Sequence, residues 1–212
     1  MIITRITRNK GRKGTFAVYV DAEYCFDAGE AVLLQYGLRK GDDIDEAKIQ
    51  NVRTSEIRRE AEQSAVNFIS YRPRSSREVF DHLVRKGYAK VVASDIVRRF
   101  EASGLVNNLE FARMFVRDKL RRKPTGKALL QRLLVTKGIP SEMIEQVVRE
   151  NVSDEGQKAA AQELASRRLR LAKRSFSKLD PTKRKQRLTG YLLRRGFSTE
   201  IVHKTIQALF RA

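Results

Sequence analysis

Apolar and polar positions change their rhythm once along the chain. From Thr15 to Phe26 they alternate, with Phe16, Val18 and Val20 at period two, then Asp21-Ala22, then Tyr24 and Phe26. Period two places successive side chains on opposite faces of a strand, so this stretch predicts a β-hairpin turning at Asp21-Ala22. A short apolar run, Ala31–Tyr36, ends at Gly37, and Leu38 to Asp43 has the glycine and aspartates of a turn. Residues 1–53 therefore read as a small N-terminal α+β cap. Beyond Thr54 the spacing becomes i, i+3, i+4, the stripe of an amphipathic helix, and the rest of the chain reads as all-α.

Within the helical part three pairs, Lys86-Gly87, Lys137-Gly138 and Arg195-Gly196, mark a degenerate repeat with glycines 51 and 58 residues apart. Eight, four and three residues before each glycine stand Val79/Leu130/Leu188, Leu83/Leu134/Leu192 and Val84/Val135/Leu193. These positions share one helical face. Five and ten residues after it come Val92/Met143/Ile201 and Val97/Val148/Ile206, predicting a second helix beyond a glycine turn. The glycine suits a left-handed C′ position closing the first helix, and the basic residue before it complements that helix's C-terminal dipole.

Ser75 with Glu78 resembles a capping box. Ser198 is placed to cap the following helix, with Phe197 and Val202 at the two staple positions. A further helix precedes each core, over Ser55–Ile69, Leu109–Arg122 and Glu155–Phe176. The predicted architecture is mainly α: tandem three-helix repeats at 54–107, 108–153 and 154–212 behind the cap at 1–53. Units too small to bury a core alone stack on their neighbours, giving an elongated, curved array.

Charge sharpens this picture. The chain carries 44 Lys and Arg against 25 Asp and Glu, a net +19. Residues 1–53 hold 9 basic and 8 acidic side chains and the remainder 35 and 17, so the excess lies almost wholly in the helical part. Such an excess points to a polyanionic or acidic partner. One cysteine, Cys25, allows no internal disulfide and fits a reducing cytoplasm. No apolar run of signal-peptide or membrane-spanning length is present, so the expectation is a soluble, cytoplasmic protein without a membrane partner.

Catalytic chemistry finds little to use. His82 and His203 are the only histidines, and neither has metal-ligand spacing. Thr125-Gly126-Lys127 lacks the first glycine and terminal hydroxyl of a phosphate loop. Residues 156–212 offer only Glu163, Asp180 and Glu200 against 15 basic side chains, too few carboxylates for a magnesium nuclease. Asp42, Asp43, Asp45 and Glu46 read as a solvated turn. The chain is expected to have no enzymatic activity and no cofactor or metal.

Basic residues instead cluster at Arg72-Arg74-Arg77, Arg121-Arg122-Lys123, Arg167-Arg168-Arg170 with Lys173-Arg174, and Lys183-Arg184-Lys185. Such clusters bind phosphates through charge and counterion release. Each alone also reads as a solvated helical face, but four in succession with few acids between weaken that reading. Tyr71, Tyr88, Phe111, Phe115, Phe176, Tyr191 and Phe197 are interleaved with them, mostly at helix-packing spacing, which favours core positions over base-stacking platforms.

Arg72-Pro73-Arg74-Ser75-Ser76-Arg77-Glu78, Leu83-Val84-Arg85-Lys86-Gly87-Tyr88 and Gly104-Leu105-Val106-Asn107-Asn108-Leu109-Glu110-Phe111-Ala112 follow one another along the chain. Leu133-Leu134-Val135-Thr136-Lys137-Gly138-Ile139 and Leu192-Leu193-Arg194-Arg195-Gly196-Phe197 continue the series. In this order, over residues 55–210, they resemble the RecX family, bacterial regulators of the RecA recombinase. The cap is similar to an extension found in some members. Two segments depart from the family pattern. Asn107-Asn108 stand where it has an acidic pair, and Lys123-Pro124-Thr125-Gly126 where it has a Gly-Tyr-Gly-like segment. Asn107 or Asn108 still suits a helix cap near Leu109.

The resemblance implies a tandem three-helix fold that lies in the helical groove of the RecA–DNA filament and restrains recombinase, ATPase and co-protease activity. The partners are then the RecA filament and single- or double-stranded DNA, directly or through RecA, and the chain is expected to act as a monomer. From the charge clusters, Arg72, Arg74, Arg121, Arg122, Lys123, Arg167, Arg168, Arg194 and Arg195 are the expected contacts with RecA or DNA. The competing reading is a sequence-specific or architectural DNA-binding protein acting without RecA, since each repeat contains helix-turn-helix geometry.

Overall fold

The computed structural model describes residues 1–11, 14–171 and 179–210. Lys173, Arg174, Phe176 and the expected end of their helix lie outside these residues. The chain forms two compact units, Met1–Arg72 with Val79–Arg99, and Pro73–Glu78 with Phe100–Ala212.

In the first unit, β1 (Ile3–Arg8), β2 (Thr15–Val20) and β3 (Glu23–Gly29) form an antiparallel sheet in the order β1-β2-β3. The expected hairpin is β2-β3, and β1 adds a strand that the alternation did not reveal. Asp21 and Ala22 both take positive φ, 46° and 73°, as a two-residue primed turn requires. The turn is tied to β1 by the Ile2 amide donating to Asp21 Oδ1 (2.8 Å) and the Ala22 amide donating to Thr4 Oγ1 (3.0 Å). Ile3, Val18, Phe26 and Ala28 bury one sheet face with Val32 and Leu33 of α1 (Glu30–Gln35) and with Ile49 and Val52 of the next helix.

Helix α2 (Glu46–Ser70) runs without interruption through residues 53 and 54, where cap and first repeat were expected to divide. Asp45 caps it, accepting from the Lys48 amide at 2.7 Å. Its Glu56, nearly buried, accepts the Gly29 amide at 2.7 Å and pairs with Arg59, so the strand end and the helix share one satisfied carboxylate. The acidic stretch at residues 42–46 thus includes a helix cap as well as a turn. In α3 (Ser76–Arg85), His82 stacks on Phe68 of α2 with centroids 4.0 Å apart. Helix α4 (Lys90–Ala102) follows the turn at Gly87.

The second unit contains α5 (Asn108–Arg122), α6 (Lys127–Thr136) and α7 (Ser141–Asn151), then α8 (Asp154–Leu171), α9 (Pro181–Arg194) and α10 (Thr199–Phe210). Each triplet has its own core: Phe111, Val116, Leu130, Leu134, Ile144 and Val147 in one, Leu164, Leu188, Leu192, Phe197 and Val202 in the other. The expected caps form. Ser75 and Glu78 exchange capping-box bonds (3.2 and 3.4 Å), Asn107 accepts from the Glu110 amide (3.0 Å), and Ser198 accepts from the Ile201 amide (3.3 Å).

Gly87, Gly138 and Gly196 all have positive φ (93°, 73° and 84°), as the C′ reading requires. The buried stripes are narrower before the glycine and displaced after it. The positions eight and four before it are fully buried, but three before it Val135 is 62% and Leu193 41% exposed. After the glycine the deepest positions are six and nine residues on, Ala93/Ile144/Val202 and Ile96/Val147/Thr205, flanked by the expected positions five and ten.

Two glycine turns also hold repeats together. The turn at Lys137-Gly138 seats on the start of α3. Ser75 Oγ donates to the Lys137 carbonyl (2.8 Å), Lys137 Nζ pairs with Glu78 (2.7 Å), and a Cβ on Gly138 would lie 2.6 Å from Arg77 Cβ. The turn at Arg195-Gly196 seats on the start of α6. There the Gly126 amide donates to the Arg195 carbonyl (2.9 Å) and the Ala128 amide to the Gly196 carbonyl (3.1 Å). Helices α3 and α6 begin eleven residues before their own glycines and α9 fifteen before its own, one turn earlier.

Candidate functional site

Helix α8 carries Leu164, Arg167, Arg168 and Leu171 at i, i+3, i+4 and i+7, one stripe with two cationic groups between two leucines. Opposite it α5 ends because Pro124 cannot continue a helix, and its last turn gathers Lys119, Arg121 and Arg122 where cations complement the dipole. Lys123 leaves this end in extended backbone, φ −156°. These two elements and Tyr191 of α9 enclose a cleft of about 180 Å³ lined by Lys123, Pro124, Leu164, Arg167, Arg168, Leu171 and Tyr191. The Arg168 guanidinium lies 5.3 Å from the centroid of the Tyr191 ring.

The structure therefore brings together three of the nine expected contact residues, Lys123, Arg167 and Arg168. Arg121 and Arg122 are exposed on α5 and share Asp118 at 3.2 and 3.0 Å. Desolvation pushes the Asp118 carboxyl up, but the hydrogen bonds and charge of the two arginines outweigh it and hold the group below its ordinary value. One carboxylate between two guanidiniums leaves a net positive charge there. Arg194 is exposed on α9, while Arg72 is exposed and Arg74 half-buried in the segment between α2 and α3.

Arg195 stands apart. It is half-buried, its guanidinium donates to the Pro124 carbonyl (2.5 Å) and Thr125 Oγ1 (3.3 Å), and its Nε is buried without a hydrogen-bond partner among the described residues. The side chain braces the wall of the cleft from behind. Gln157, 3% exposed, completes the brace by accepting the Lys127 amide (3.0 Å) and donating to the Thr125 carbonyl (3.2 Å). The Gly126 backbone is fixed so closely that an added Cβ would stand 2.0 Å from the Gly196 carbonyl carbon.

The apolar lining, Leu164, Leu171 and Pro124, was not anticipated, although the i, i+3, i+4, i+7 spacing carried the signal. Tyr191, expected in the core, both packs against it and faces the cleft, whereas Phe111 and Phe197 are buried as expected and Tyr71 is 85% exposed. In the first unit a larger groove, about 530 Å³, lies along Arg58, Lys90, Val91, Val92, Ser94, Asp95 and Arg98, with Arg98 paired to Asp95 at 2.6 Å. Among the described residues no group of three or more His, Cys, Asp or Glu is arranged to hold a metal ion, and no helix is long and apolar enough to cross a membrane.

Family models match nearly the whole chain in succession. These are the RecX regulatory protein N-terminal domain over residues 1–45 and the first, second and third RecX three-helix domains over 61–100, 107–148 and 155–206. Regulatory protein RecX of Bacillus pumilus is 30% identical over 208 residues, covering 98% of this chain and 77% of the relative. Its counterpart in Listeria welshimeri is 29% identical, covering 95% and 73%. A crystal structure of regulatory protein RecX superposes with a TM-score of 0.76 at 25% identity, covering 98% of both chains. That of RecX from Lactobacillus salivarius gives 0.63 at 25% identity, covering 74% and 99%. With its N-terminal sheet and three three-helix domains matched in order, the chain belongs to the RecX family of regulatory proteins.

Proposed function

We propose that the chain regulates RecA by binding the RecA–DNA filament in its helical groove, limiting recombinase, ATPase and co-protease activity, as a cytoplasmic monomer with no catalytic activity of its own. Family membership supports the role. The observation that carries the surface assignment is the convergence of Lys123, Arg167 and Arg168 on one braced cleft. Arg72, Arg74, Arg121, Arg122 and Arg194 add dispersed contacts with RecA or with DNA phosphate, each weak and acting together along a repetitive target. Arg195 contributes through the cleft wall. Cys25, free of disulfide, suits a reducing compartment.

RecA-dependent ATP hydrolysis on single-stranded DNA tests the proposal, with this protein added to preformed filaments beside a non-specific basic protein. Inhibition well below the RecA concentration, absent with the basic control, is expected. Reversing Lys123, Arg167 and Arg168 to Glu together should raise the half-inhibiting concentration at least tenfold. No effect beyond the control would favour a DNA-binding protein that acts without RecA, and selection of one strong DNA sequence would establish that rival.

A further inference from the structure

The cleft between α5, α8 and α9 is not built like a phosphate site. Lys123, Arg167 and Arg168, all exposed, share its lining with Leu164, Leu171, Pro124 and Tyr191. A phosphate gains from amides and cations and nothing from leucine walls, against which its oxygens lack partners. The Lys123 amide already donates to the Lys119 carbonyl, so the helix end offers no free donor at that position.

A stacked nucleobase fits no better. Tyr191 packs against the core of the third repeat and carries Arg168 near its ring, so the ring is not presented as an open platform. The polar edges of a base would also meet Leu164 and Leu171. The volume suits a different guest: a dry cavity of about 150 Å³ holds a benzene ring, and this cleft measures about 180 Å³. One large aliphatic or aromatic side chain fills it.

Resting on the reading of this cleft as the partner-binding surface, we infer that it takes a single large apolar side chain flanked by carboxylates, from an acidic polypeptide segment and not from nucleic acid. The apolar group enters between Leu164 and Leu171, and the flanking carboxylates meet Lys123, Arg167 and Arg168. Charge complementarity selects the segment and steers its approach, while the apolar anchor supplies the buried contact typical of interface hot spots. Leu171 is 73% exposed, which leaves its side chain accessible to a partner.

Fluorescence anisotropy with the full chain tests this. The probe is a fluorescein-labelled peptide with one phenylalanine between two runs of three aspartates. The same peptide with serine replacing phenylalanine and an oligothymidylate serve as comparisons. The phenylalanine peptide should bind at least tenfold more tightly than the serine peptide. Leu171→Ser, a rim change that leaves the core intact, should bring the two peptides within threefold of each other and leave oligothymidylate binding unchanged. Equal binding of the two peptides by the wild-type chain, or an unaltered preference in Leu171→Ser, overturns the inference. So does a loss of oligothymidylate binding parallel to that of the peptide, which would make the cleft a nucleic-acid site. RecA-dependent ATP hydrolysis with the same variant separates the two readings. If the peptide results hold but Leu171→Ser inhibits as the wild type does, the anchor site stands and its role on the filament falls.

Discussion

Two glycine turns in the second unit seat on the start of a neighbouring repeat's middle helix, and they do so by different chemistry. At Lys137-Gly138 side chains make the joint: the Ser75 hydroxyl, the Glu78–Lys137 pair, and the Asn108 amide, which both accepts the Ser76 N–H (3.0 Å) and donates to its hydroxyl (2.9 Å). At Arg195-Gly196 backbone meets backbone, with Gly126 where the other joint has Ser75, each twelve residues before its own repeat's glycine. A joint of separate side chains weakens piecemeal. A joint of two backbones depends on the absence of Cβ atoms on both sides, at Gly126 and Gly196, where the first joint requires it only of Gly138.

The sharpest way to break the comparison is therefore at the second joint. Gly196→Ala should destabilise the protein by about 2–4 kcal/mol, combining left-handed strain with overpacking, because its Cβ would stand 2.3 Å from the Leu129 amide nitrogen at φ +84°. Urea unfolding of the full chain measures this. Gly87→Ala is the control, since a Cβ at Gly87 meets nothing within 4 Å, and only the conformational cost of about 1 kcal/mol applies. Equal losses in the two variants would deny the backbone joint its role.

Arg195→Ala comes next, at about 1–3 kcal/mol, since it leaves the Pro124 carbonyl without its donor. It should also weaken inhibition of RecA-dependent ATP hydrolysis, though Arg195 points into the wall and not the opening. At the first joint Ser75→Ala should cost about 1–2 kcal/mol as a lost cap. Lys137→Met should cost less than about 1 kcal/mol, because a partly exposed ion pair stabilises little.

The smallest effect lies inside the second repeat, which takes part in both joints. Hydrogen bonds from Arg113 of α5, and then from Gln146, pull the Glu150 carboxyl of α7 down to about 2. A folded value below the unfolded one means that the carboxylate stabilises the fold at pH 5 and above and loses this contribution as pH falls through about 2. Glu150→Gln should thus be slightly less stable than the wild type at pH 6, with the difference shrinking towards pH 2 in a series of thermal melts.

Local chemistry made much of the fold legible. Val79/Leu130/Leu188 and Leu83/Leu134/Leu192, the caps at Ser75, Asn107 and Ser198, and the three left-handed glycines all follow from rules acting over a few residues. Strand β1 did not show, because Ile-Thr-Arg-Ile-Thr-Arg repeats with period three and owes its extended form to pairing with β2. Likewise Gly126 looked only like a failed phosphate loop, since its reason lies at Gly196, seventy residues on. For the site, charge clusters pointed to Lys123, Arg167 and Arg168. Arg195 looked the same in sequence, and only the position of the Pro124 carbonyl separates a brace from a surface cation. Tyr191 and the leucines are not legible as site residues, because an apolar residue at helical spacing reads as core until its neighbours are known.

Helix α9, one turn longer than its counterparts, bears on how such a protein is lengthened by duplication or design. A unit copied in behind the first or second repeat inherits a seat, because α3 and α6 open at the place where the next glycine turn rests. Joined behind the third, it would meet four residues of formed helix instead. A further module could seat on α9 in the manner of these two joints only if the first turn of that helix were trimmed away.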